Sequence, residues 1–269
     1  MIWSANFADC GKPLLVPADL CQGVYGMNLR RLHLTVAGTT GTVSRPWFDQ
    51  DVGFASPGST HFAAGAFEIS GNGSLPLRPD PFDQYKDHLD HDAFHYVFQR
   101  LNGNGEFEAE LGPGHAGTDS GAGREASAGL MIRESTYVIG QTEGVLHGRQ
   151  LSAGDTFSEA ARYGYVGLLS DGSVVFQWRD GGSVSRAPIQ SQTCPAGCRL
   201  KIIRHANQVS TFFSVSHGPW REVGSHAFST PLSHSVTIGM AATSDSPSTF
   251  PQYATHSGRF DHVRLNSGP

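Results

Sequence analysis

Three glutamates at alternate positions, Glu106, Glu108 and Glu110, give this 269-residue chain its sharpest chemical signal. On an extended strand they share one face, with about 6.5–7 Å between successive carboxylates. Glycoside hydrolysis runs on paired carboxyls, about 5–5.5 Å apart for retention and farther for inversion, so this face could carry an acid and a base. The plainer reading is a solvated strand face, because catalysis also needs a cleft that raises the pKa of one acid.

A second set, His95, Arg133, Gln177 and Arg179, suits ligand binding. Sugar recognition needs an aromatic platform for the ring and planar polar groups for its hydroxyls. Period-2 alternation puts Gln177 and Arg179 on one face of the 174–179 stretch. Trp178 falls on the other, in the core with Val174 and Phe176. A third set lies at residues 83–95, rich in carboxylate and imidazole. Asp87, Asp90 and Asp92 would supply oxygen to Ca²⁺, and the histidines there would suit Zn²⁺ or another transition metal. Neither an EF-hand loop nor His-Glu-x-x-His spacing is present, so a polar solvated loop is the alternative. The other histidines, His217, His226, His256 and His262 among them, fall singly and mark no cofactor site.

The four cysteines form two sequence-local pairs, Cys10 with Cys21 and Cys194 with Cys198. Two small-loop disulfides would fit an oxidising compartment, and four buried thiols are the other reading. A zinc site lacks the doubled two-to-four spacing it would need.

The elements that must position these groups are short strands. Glycine stands at 33 and charged residues at 16%, a mix suited to many strands joined by tight turns. Strand signals recur at residues 67–70, 94–99, 106–111, 130–134, 174–179, 200–204, 209–215, 235–241 and 260–265, each bounded by turn residues. Residues 205–208 make a hairpin connection between two of them. One further strand is expected at 31–36, and the best helical stretch, 153–162, is weak. About ten short strands without a βα alternation predict an all-β sandwich or barrel built of antiparallel strands. No repeat or linker divides the chain, which reads as an N-terminal extension, 1–45, packed on one domain, 46–269.

A net charge of -5 with no Lys/Arg cluster excludes a nucleic-acid footprint. No apolar run approaches the roughly 20 residues of a membrane span. Residues 1–6 lack the basic and apolar regions of a signal peptide, so export is encoded elsewhere or the protein stays in the cytoplasm.

In their order, several pieces resemble the concanavalin A-like modules called regulation-of-enolase-like, relatives of LamG-type jelly rolls. They are residues 47–53 (WFDQDVG), 65–73 (GAFEISGNG), 94–99 (FHYVFQ), 103–106 (GNGE), 128–135 (AGLMIRES), 176–179 (FQWR) and 260–263 (FDHV). The match spans about residues 47–267. The resemblance implies a concanavalin A-like jelly-roll fold and a place among extracellular or cell-surface proteins that bind glycans. It brings no catalytic motif. Segments 75–93, 112–127 and 142–161 are longer than the family pattern, and long loops on a rigid sandwich are where specificity tends to reside.

Three functions follow as expectations. The first is a non-catalytic carbohydrate-binding or surface-recognition module. The second is a glycoside hydrolase or polysaccharide lyase acting through Glu106, Glu108 and Glu110. The third is a structural subunit or adhesin that meets a protein partner through residues 1–45.

Overall fold

A computed structural model describes residues 46–52, 58–73, 75, 92, 94–112, 115–116, 126–135, 161–181, 183–187, 193–194, 196–245 and 255–268. The expected extension at 1–45, with its strand at 31–36, and residues 153–160 of the weak helical stretch lie outside these residues; Ala161 and Arg162, at its end, are not helical.

Among the described residues, fifteen strands form two antiparallel sheets. In chain order they are β1 (Phe48–Val52), β2 (Ser59–Ala63), β3 (Ala66–Gly71), β4 (Phe94–Asn102), β5 (Gly105–Leu111), β6 (His115–Ala116), β7 (Ser127–Arg133) and β8 (Tyr163–Leu169). They continue with β9 (Val174–Asp180), β10 (Ser183–Arg186), β11 (Cys198–His205), β12 (Gln208–Ser214), β13 (Arg221–Ala227), β14 (Ser235–Thr243) and β15 (His256–Ser267). One sheet has seven strands in the order β1-β4-β14-β7-β8-β9-β10. The other has eight, in the order β13-β12-β11-β5-β15-β3-β2, with β6 paired to β15. No helix occurs among the described residues, so none is long and apolar enough to cross a membrane.

The core lies between the sheets. Val97, Leu130, Ile132, Val166, Phe176, Ile238 and Met240 of the seven-stranded sheet meet Phe67, Ile69, Phe107, Leu200, Ile202, Phe213 and Phe260 of the other. Burying each such side chain stabilises the fold by roughly 1.5–3 kcal/mol. Trp178 packs against this core from β9, stacked between Phe176 and His226 at 5.0 Å from each.

The two sheets differ on their outer faces, and that difference positions everything functional. Every residue of β7 and β8 is buried, so the centre of the seven-stranded sheet is closed on both sides. Its outer face carries a second cluster of Val52, Phe94, Tyr96, Phe98, Met131, Tyr163, Tyr165 and Ala241. Strands β5 and β11 instead alternate strictly between buried and part-exposed residues. The eight-stranded sheet therefore opens one face to solvent, as antiparallel sheets commonly do.

Candidate functional site

The open face is built from complementary strips of charge. Strand β5 lies between β11 and β15, and its Glu106, Glu108 and Glu110 all point outward. Across one edge, Lys201 pairs in register with Glu108 and Arg199 with Glu110; across the other, Arg264 pairs with Glu108. Lys201 Nζ lies 3.4 Å from Glu106 and 3.5 Å from Glu108. Arg199 Nη2 donates to Glu108 Oε2 at 3.5 Å, and Arg264 stands 4.0 Å from its other oxygen. Trp220 backs this strip, with Arg199 and Lys201 both 4.6 Å over its ring.

Glu110 meets two imidazoles. His262 Nδ1 is 3.3 Å from one carboxylate oxygen and His217 Nε2 is 3.8 Å from the other. Both histidines hold left-handed backbone, at φ 51° for His262 and 57° for His217. His262 sits in a bulge of β15, where pairing with β5 slips between Asp261 and Arg264. Such an extra residue re-aims a side chain, and here it brings His262 onto the Glu110 side of the sheet. His217 comes from the β12–β13 turn. Glu108, Glu110, Arg199, His217, His262 and Arg264 enclose a pocket of about 220 Å³.

The closed face holds a different arrangement. Arg133 and Arg179 come together there around Asp92, two residues before β4, with Gln177 close by on Tyr163. Arg133 Nη1 and Arg179 Nη1 each donate to Asp92 Oδ2 at 2.6 Å, and Arg179 Nη2 donates to Oδ1 at 2.7 Å. All three charged side chains are at most 1% exposed. Burial alone would raise the Asp92 carboxyl, but the two guanidinium groups beside it hold it well below the usual carboxylate range. Gln177 Nε2 donates to Tyr163 Oη at 2.5 Å. Burial, reinforced by the Asp92 charge, pushes the Tyr163 phenol up. The Arg133 and Arg179 guanidiniums also lie 5.7 Å and 5.0 Å over the Tyr163 ring.

His95 does not join this group. It faces the inside of the sandwich, with Nδ1 2.8 Å from Asp51 Oδ1 and Nε2 2.8 Å from Thr60 Oγ1. Both ring nitrogens are thereby used by protein groups. Its place at an odd position of β4, with Val97 and Leu101, put it on the core side from the start.

The metal and cysteine expectations meet the structure here. Both carboxylate oxygens of Asp92, expected to serve Ca²⁺, accept from Arg133 and Arg179. Asp87 and Asp90 lie outside the described residues. Among the described residues no group of three or more His, Cys, Asp or Glu is placed to hold a metal ion. Cys194 and Cys198 are buried free thiols and not a disulfide. They hydrogen-bond to each other, which lowers Cys194 and, together with burial, pushes Cys198 up. Cys10 and Cys21 lie outside the described residues.

Arg199 and Arg264, which the sequence reading did not single out, were legible in principle. Arg199 and Lys201 repeat at i, i+2 on a strand that alternates like β5, so two charge strips of opposite sign were waiting to be paired. The roles of His217 and His262 were not legible, because a bulge and a turn conformation place them.

Neither a protein-family model nor a curated protein matches the sequence. Among solved structures, a functionally unknown protein from Saccharomyces cerevisiae superposes with a TM-score of 0.53 at 12% identity, covering 83% of this chain and 96% of that one. The fold is a jelly-roll sandwich of two antiparallel sheets. Carbohydrate-binding module CBM66 from Bacillus subtilis gives a TM-score of 0.44 at 11% identity over 86% of this chain and 98% of its own. The exoplasmic/lumenal domain of VIP36, in a form bound to Ca²⁺ and Man3GlcNAc, gives 0.45 at 10% identity over 83% of each chain.

Proposed function

We propose that this chain is a non-catalytic carbohydrate-binding module that takes a sugar in the Glu108–Glu110 pocket of the eight-stranded sheet. One observation carries the reading: the only sheet face left open among the described residues holds a pocket of planar polar groups, two carboxylates, two guanidiniums and two imidazoles. Carboxylates accept from hydroxyls, and guanidiniums donate in a fixed fork. Together they suit the mixed donors and acceptors of a sugar ring. The volume of about 220 Å³ lies below the roughly 300–1,000 Å³ of sites for larger ligands. It suits one ring or a chain end, not a long oligosaccharide.

The set first expected to bind, Arg133, Gln177 and Arg179, is buried and occupied with Asp92 and Tyr163. It serves this role as scaffold. An extracellular or cell-surface location, and membership of the regulation-of-enolase-like modules, belong to the same proposal.

A hydrolase or lyase is the second reading, favoured by the presence of two carboxylates in one pocket. Against it, Glu106 and Glu108 contact cationic side chains and Glu110 contacts two imidazoles, so all three are engaged by neighbours. A glycan-array screen with product analysis separates the two. Retention of a glycan without shortened products supports the module, and shortened products would overturn it. The same screen run with EDTA tests the calcium expected from residues 83–95.

A further inference from the structure

One end of the sandwich gathers buried polar atoms that the protein does not complete. His256 opens β15 opposite Gly71, the last residue of β3, and Asn72 follows directly. On the facing sheet, Ser244 follows the end of β14. The two strand ends touch: a methyl group on Gly71 would stand 2.1 Å from the Ala242 carbonyl oxygen, and Thr243 Oγ1 donates to the Gly73 carbonyl at 2.8 Å. His256, Asn72 and Ser244 are 1%, 3% and 0% exposed. Yet His256 Nδ1 and Nε2, Asn72 Oδ1 and Ser244 Oγ have no hydrogen-bond partner among the described residues.

His95, at the same end, provides the contrast. Its side chain also lies beside Gly71, and both of its nitrogens are satisfied by Asp51 and Thr60. Buried polar groups are almost always paired with protein or ordered water. Four orphan atoms on residues at the neighbouring ends of β3, β14 and β15 therefore point to a binding site.

We infer that this end of the sandwich holds at least two internal water molecules, which bridge β15 and the β3 terminus to the β14 terminus. The imidazole sets the minimum, because its two nitrogens point away from each other and one water cannot serve both. One ring nitrogen donates to a first water and the other accepts from a second. Asn72 Oδ1 accepts, and Ser244 Oγ donates or accepts. Buried water is retained where several polar partners meet it. A divalent cation does not fit. The three side chains bring no carboxylate, and an uncompensated charge buried there would be costly.

Water–protein nuclear Overhauser spectra of the wild-type protein test this, with metal content measured on the same sample. Long-lived water contacts at the amides of Asn72, Ser244 and His256, with substoichiometric metal, are expected. Deuteron relaxation dispersion of His256→Phe should then show at least one fewer long-lived water. Absence of long-lived water at these amides in the wild type would overturn the inference. So would one equivalent of metal whose removal shifts the His256 ring signals. The wild-type spectrum decides the matter even where the variant fails to fold.

Discussion

At the residue scale, the Asp92 carboxylate controls the closed face. It is the anion shared by two buried guanidiniums, and removing it takes away a carboxylate that both contact. Asp92→Asn is expected to cost about 3–5 kcal/mol, read by denaturant unfolding. Unchanged stability would show that the two arginines are neutralised in some other way. His256 sets a pH dependence. Burial pushes its pKa down to about 4, below the roughly 6.5 of a free imidazole. Between those values the unfolded chain binds the proton and the folded one does not. Stability from this group is therefore full above the free value and falls as the pH drops toward 4. Denaturation at pH 7 and pH 5 should differ by roughly 2 kcal/mol through this residue, and His256→Gln should flatten that part of the slope.

At the element scale, burial on one or two faces decided what could be read in the sequence. Strand β5, with Glu106, Glu108 and Glu110 outward and Phe107, Ala109 and Leu111 inward, was legible because one face is wet. So was the hairpin at residues 205–208, which joins β11 to β12 through a two-residue loop with Ala206 at φ 53°. Strand β8 was missed because all of its residues are buried and no alternation survives. Strand β13 was missed for the opposite reason, as an edge strand whose sequence, REVGSHA, is mostly polar or small and largely exposed. The closed face also rests on tight packing between β7 and β8. A methyl group on Gly129 would stand 2.1 Å from the Val166 carbonyl oxygen and 2.5 Å from the Gly167 Cα. Backbone has no freedom to step aside as a side-chain tip would. Gly129→Ala is expected to destabilise the protein by about 1–3 kcal/mol, measured by urea unfolding, and a neutral effect would mean that the two strands are more loosely apposed.

At the scale of the whole molecule, the jelly roll assigns separate tasks to its two sheets. The seven-stranded sheet is closed, aromatic and held by a buried ionic cluster, so it supplies rigidity. The eight-stranded sheet offers an open, charge-striped face with a pocket. The sequence showed the residues of both sheets but not this division, because nothing in the alternation of Gln177 and Arg179 says whether their outward face meets solvent. The Glu strip was visible at once. Its partners from β11 and β15, and the bulge that delivers His262, depended on strand order, which local pattern does not specify.

The most direct test of the pocket is calorimetric titration of the best-retained glycan. It would compare wild-type protein with Glu110→Gln, Arg264→Ala and, as a control on the closed face, Gln177→Ala. A lost charge-assisted hydrogen bond is worth about 1.5–3 kcal/mol, so each pocket variant should bind at least about tenfold more weakly. Folded Gln177→Ala should match the wild type. Full affinity in both pocket variants, with loss in Gln177→Ala, would contradict the account and move the binding site to the seven-stranded sheet.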